Sequence, residues 1–175
     1  IFVSQAALEK EKNHIEDLGD MLRFVTPDAQ EGVMPDLATQ SGQMAIESVA
    51  RDVEVIIVDN ISTLCRATGS ENEAESWRTP QEWGLRMRRQ GKSVVFVHHS
   101  GKGGGQRGSS KREDVLDVVI HLRRPERYAP DQGARFEISF EKFRNIFGED
   151  VLPIEAALSH TPEGVTAWEW KPVRA

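Results

Sequence analysis

Val55-Ile56-Ile57-Val58-Asp59-Asn60 is an apolar run that ends abruptly in a carboxylate. Four consecutive β-branched residues predict a strand buried on both faces, as in the centre of a parallel sheet. A charged side chain at the tip of such a strand is costly unless it reaches the sheet's carboxyl edge, where open α/β folds bind ligands. Two roles are open for Asp59 there. It caps the following turn, or it holds a Mg²⁺ ion beside phosphate.

The chain on either side supports an alternation of helix and strand. Met44, Ala45, Ile46, Val49 and Ala50 recur at helical spacing and predict a helix leading into a strand over 53–59. Thr79-Pro80-Gln81-Glu82 carries the signals of a helix start: a Thr cap, Pro in the first turn and Glu to complete a capping box. Gly91 suits the left-handed end of that helix. Ser93-Val94-Val95-Phe96-Val97-His98 then predicts a second fully buried strand. Strand, helix, strand in this order implies right-handed parallel crossovers.

Further out, Ile1-Phe2-Val3 predicts the end of a strand and Ser4 the cap of a helix to about Met21. A short strand is expected over Leu22 to Val25, a loop over 30–37 and a polar mobile loop over 66–78. A short helix from Arg112 to Asp117 should feed a strand near 118–122. From Ala134 onward Phe136, Ile138 and Phe140 alternate with polar residues, predicting antiparallel strands that continue near 152–158 and 165–170. The expected fold is α/β: a three-layer, doubly wound, mainly parallel sheet with antiparallel strands at the C-terminal end, all within one domain over 1–175.

Composition bounds the function. The chain has 175 residues, 38% hydrophobic and 29% charged. That suits a globular domain with a sizeable core. Cys65 is the only cysteine and no apolar run approaches a membrane span, so a reducing cytoplasm is the expected location. The formal charge of −6 disfavours indiscriminate nucleic-acid binding. Contact with nucleic acid therefore has to come from a local basic segment.

One such segment exists. Gly101-Lys102-Gly103-Gly104-Gly105-Gln106-Arg107-Gly108-Ser109-Ser110-Lys111-Arg112 combines five glycines with four cations. Glycines let backbone amides approach phosphate, and Lys102, Arg107, Lys111 and Arg112 concentrate positive charge. Without aromatic residues it has no means of base stacking. It fits backbone-phosphate contact with single-stranded nucleic acid or with a nucleotide, or else a plain surface loop. Just before it, His98-His99 closes the second strand, where imidazoles can hydrogen-bond a terminal phosphate or polarise water. The pair also suits one buried and one exposed histidine, or a transition-metal site shared with Asp59 and Cys65. Glu141-Lys142-Phe143-Arg144-Asn145 sets Lys142 and Arg144 at period-two spacing near the turn at Gly148. These cations suit an anion on a neighbouring subunit, or a solvated edge strand. Gly91-Lys92-Ser93 is no phosphate loop: Arg86 stands where the first glycine is required, and a strand follows instead of a helix. Asn60-Ile61-Ser62 follows a buried strand and is set aside as a glycosylation site.

Taken together, 55–60, 96–110, 112–122 and the EKFRN segment with Gly148 resemble the RecA-like ATPases, in particular the group of RepA-type hexameric replicative helicases. The resemblance covers roughly residues 53–150. It implies ATP and Mg²⁺ as cofactors, with Asp59 as the Walker B carboxylate that holds Mg²⁺ through water and Asn60 beside it at the nucleotide. His98 or His99 would sense the terminal phosphate. The loop bearing Lys102, Arg107, Lys111 and Arg112 would line a ring's channel and contact single-stranded DNA. Lys142 and Arg144 would reach the adjacent subunit's nucleotide as arginine fingers. The chain departs from the family pattern in lacking GxxxxGK[ST]. Gln5 and Glu9 stand near the place of the catalytic glutamate without matching it. The expectation is thus the C-terminal two thirds of an ATPase core, inactive alone and self-associating through an exposed sheet edge. The alternative is a degenerate RecA-like module that assembles or regulates without hydrolysis.

Overall fold

The computed structural model describes residues 22–29, 32–66, 73–99, 114–160 and 166–173. The chain divides into two compact units, residues 1–109 and 110–175, each with its own sheet.

In the first unit, helix α1 (Gln40–Val49) precedes strand β1 (Val55–Asp59), and the one-turn helix α2 (Ile61–Leu64) follows it. Helix α3 (Glu73–Arg89) then leads to strand β2 (Ser93–Val97). The two strands pair in parallel from Val55 opposite Ser93 to Asp59 opposite Val97, which bears out the parallel pairing expected here. Thr39 starts α1, its side chain accepting from the Gly42 amide at 3.1 Å. Leu37, Val58, Trp83 and Met87 form the buried core, with Ile46, Ile56, Val94 and Phe96 packed around it. α3 approaches β2 closely at Gly84, where a Cβ would lie 3.2 Å from the Phe96 ring.

Among the described residues, the strands are covered by helices on one face rather than two. Ile56 and Val58 face the helices, whereas Val55 and Ile57 point away, Ile57 with 66% of its surface exposed. Val95 of β2 is exposed on the same pattern. Side chains alternate along a strand, so an apolar run shows what both faces tolerate and not what covers each.

α3 also begins earlier than its sequence signals suggest. Pro80 lies inside the helix, seven residues past Glu73, instead of opening it. Proline there cannot donate the usual helical backbone bond. The helix continues because Trp77, Pro80, Trp83 and Met87 are all buried, a stripe at helical spacing. Glu82 pairs with Arg78 one turn back at 3.1 Å and completes no cap. Of the loop expected over 66–78, residues from Glu73 onward are helical and 67–72 lie outside the described residues.

The far end of α3 follows expectation. Gly91 takes φ +82°; its amide donates to Arg88 O at 2.9 Å and the Lys92 amide to Met87 O at 3.1 Å. That pair of bonds is a Schellman closure. Lys92 then donates from Nζ to the carbonyls of Arg51 (2.9 Å) and Val53 (2.7 Å), a structural role that has nothing to do with phosphate. Residues 22–26 take no strand conformation. Arg23 instead forms a bidentate pair with Asp52 at 2.6 and 2.7 Å, which holds the Asp52 carboxyl below the usual carboxylate range. The strand and helix expected over 1–21 lie outside the described residues.

The second unit is a four-stranded antiparallel sheet in the order β3 (Val118–Arg123), β4 (Arg135–Phe143), β5 (Ile154–His160), β6 (Thr166–Pro172). Of the short helix expected over 112–117, residues 112–113 lie outside the described residues and 114–115 form a turn; Asp114 there presents its carbonyl to Arg144. The register sets Ile120 opposite Phe140, Leu122 opposite Ile138, Phe136 opposite Ala156, and Ala156 opposite Trp170. One face of the sheet is therefore apolar across all four strands. The other carries ion pairs: Arg123 with Glu137 at 2.6 Å, Arg135 with Glu155 at 3.0 Å, and Lys171 with Glu155 at 3.1 Å. Hydrogen bonds from Arg135 and then Lys171 hold the Glu155 carboxyl below its ordinary range. The described residues thus form a mixed α/β structure with two parallel strands and four antiparallel ones.

Candidate functional site

The parallel pairing of β1 and β2 brings two strand ends to one edge. Asp59 ends β1 level with Val97, and the next residues out are Asn60 on one strand and His98-His99 on the other. Asp59 is exposed, so its carboxylate carries little desolvation cost at this edge. The Asp59–Asn60 peptide is cis.

Asn60 begins α2. Its side-chain oxygen accepts from the Thr63 amide at 3.1 Å and from Thr63 Oγ1 at 2.9 Å. Thr63 Oγ1 lies 3.4 Å from the Asn60 amide, closing the capping box. The other arm of the Asn60 amide, Nδ2, lies 3.1 Å from His99 Nε2. The edge therefore has a lateral tie between the two strand ends, across 39 residues of sequence. His99 is exposed and His98 half-buried, so the two imidazoles face different surroundings.

Mg²⁺ commonly binds through one or two carboxylates, several waters and substrate phosphates. A single exposed Asp59 at a strand end fits that mode of binding. A transition-metal site is a poorer fit. Among the described residues no group of three His, Cys, Asp or Glu side chains is placed to hold a metal ion. Cys65 is half-buried, and burial followed by the charge of Asp36 pushes its thiol up to about 12. A thiol held protonated is a poor ligand and a poor nucleophile.

The second cation pair divides. Lys142 lies on β4 opposite Val119, beside a bulge between Val119 and Ile120. Arg144 lies just past the strand and is tied within its own unit. Its amide donates to Asp117 O at 2.8 Å, its Nη2 to Asp114 O at 2.8 Å, and its Nη1 lies 3.8 Å from Asp117 Oδ1. Lys102, Arg107, Lys111 and Arg112 lie outside the described residues. The Asn60–His99 tie and the anchoring of Arg144 were not foreseen from sequence. Each joins residues far apart in the chain, and only the register of the sheets places them together.

A mixed α/β structure with a carboxylate and imidazoles at the carboxyl edge of a parallel pair is consistent with a nucleotide-binding protein of the P-loop NTPase type. The family described as the AAA domain matches residues 4–105, more than half of the chain, and the chain belongs to that family. An ATPase-type, nucleotide-binding function goes with membership. The matched stretch includes Asp59, Asn60, His98 and His99 and stops before Lys142 and Arg144. Among curated proteins none matches the chain. No helix among the described residues is long and apolar enough to cross a membrane.

Proposed function

We propose that this chain is part of a RecA-like, DNA-dependent ATPase of the replicative-helicase type, with a three-layer, doubly wound core, that works in the cytoplasm. The observation that carries the proposal is the shared edge where Asp59 ends β1 level with the end of β2, with His99 tied across to Asn60. At that edge Asp59 would hold Mg²⁺, which when bound would supply positive charge against ATP phosphates. His99, or His98 beside it, donates a hydrogen bond to a terminal phosphate oxygen. Lys102, Arg107, Lys111 and Arg112 contact the backbone of single-stranded DNA. Lys142 and Arg144 act on the nucleotide of a neighbouring subunit, stabilising charge in the transition state. For Arg144 this requires exchange of its present contacts with Asp114 and Asp117.

The test is DNA-stimulated ATP hydrolysis by the intact gene product. Asp59→Ala should lower the rate by roughly 10²–10³-fold, the scale of losing one group that stabilises the transition state. An unchanged rate would overturn the assignment. A second reading, a RecA-like module that assembles without hydrolysis, is favoured by the lack of GxxxxGK[ST] within the 175 residues. Titration calorimetry with Mg-ATP separates the two, because the second reading predicts no heat of binding.

A further inference from the structure

We propose that Asn60 is a positioning residue for His99, holding the ring as its Nδ1–H tautomer so that Nδ1–H is the only donor the ring can offer a ligand. The argument begins with the backbone. The Thr63 amide can only donate, and it points at one arm of the Asn60 side chain from 3.1 Å. That arm must be the oxygen, so the amide NH₂ faces His99. The Asn60 NH₂ can only donate in turn. His99 Nε2, 3.1 Å away, must accept, and a neutral imidazole that accepts at Nε2 carries its proton on Nδ1. Free histidine in water prefers the opposite tautomer. A short chain of one-way bonds, from the Thr63 amide through Asn60 to His99, therefore reverses the ring's intrinsic preference.

The consequence for binding is directional. With Nε2 occupied, the exposed ring of His99 presents a single N–H, at Nδ1, to an anionic oxygen. Asn60 adjoins Asp59 in the chain, so a shift of the Asp59 strand tip is passed to the ring through one side chain. This consequence rests on the phosphate-sensing role proposed above. The tautomer assignment rests only on the bonds among Thr63, Asn60 and His99.

Long-range ¹H–¹⁵N spectra of the imidazoles, recorded at mildly alkaline pH, test it. The His99 signals are identified by their loss in His99→Gln. The wild-type protein should show the Nδ1–H form as the major species. Asn60→Ser keeps a side-chain cap for α2 and removes the NH₂ donor, so Nε2–H should become the major form. Asn60→Asp also keeps the cap, and its carboxylate can accept from Nε2–H, giving the same reversal more completely. A major Nε2–H form in the wild type, or no change in either variant, would overturn the proposal. Adding Mg-ATP to the intact wild-type protein should shift the His99 Nδ1 resonance. If the Nδ1–H form is present but Mg-ATP leaves that resonance unmoved, the phosphate-sensing role fails while the positioning by Asn60 stands.

Discussion

The two units handle the same kind of strand in opposite ways. In the first, two parallel strands give one face to helices, and that interface encloses a true core in which Trp83 is 0% exposed. In the second, four antiparallel strands sort their side chains into an apolar face and an ion-paired face. Trp170 on the apolar face keeps 73% of its surface exposed. Helix packing concentrates burial into a few side chains, whereas the sheet spreads partial burial over many. The chemistry follows the same division. In the parallel unit the polar groups of interest lie at or just beyond the strand ends, while in the antiparallel unit the ion pairs lie along the strands.

Substitutions can break this contrast. The largest effect is expected in the helix-covered core: Trp83→Ala should cost about 3–5 kcal/mol. Trp168→Ala, at a position on the apolar sheet face that is 40% exposed, should cost only about 1–2 kcal/mol. Denaturant unfolding of both variants measures the gap, and equal losses would show that the two faces are buried alike. Next, Gly91→Ala places a Cβ on a backbone at φ +82° and should cost about 1–2 kcal/mol. A neutral result would mean that the Schellman closure relaxes freely.

The smallest effect belongs to the ion-paired face and is read through pH. The folded-state pKa of Glu155 is depressed by Arg135 and then Lys171. Its contribution is therefore fully present above the ordinary glutamate range and is lost as pH falls through the lowered folded value. Glu155→Gln should be less stable than wild type near neutrality, with the difference shrinking as pH falls below the ordinary glutamate range. A difference that stays constant across that range would show that packing, not charge, holds the Glu155 side chain.

Much of the parallel unit was legible in the sequence. The β-branched runs marked both strands, Met44 to Ala50 marked α1, and Gly91 marked the end of α3, because each signal is local. The start of α3 was misread since Thr79-Pro80 carries a strong local signal that tertiary burial overrides. The informative pattern was the buried stripe Trp77, Pro80, Trp83, Met87. The one-sided cover of β1 was hidden for a different reason: Val55 and Ile57 look the same in sequence whether covered or bare. At the candidate site, Asp59 and His98-His99 were legible as strand-end polar residues. The second task of Asn60 was not, because its partner His99 is supplied by a different strand.

Lys92 gives that strand-end arrangement a further meaning. Its ammonium clamps the carbonyls of Arg51 and Val53, and the adjoining Ser93 amide bonds Glu54 O at 2.8 Å. These contacts set a common starting line for β1 and β2 at the end of the sheet opposite Asp59. From there each strand runs five residues to its tip, about 16 Å at the usual rise per residue. The sheet thus works as a ruler with its zero mark at Lys92. The alignment of Asn60 with His99 is measured from that mark, so adding or removing one residue in either strand would misalign a contact a full strand-length away.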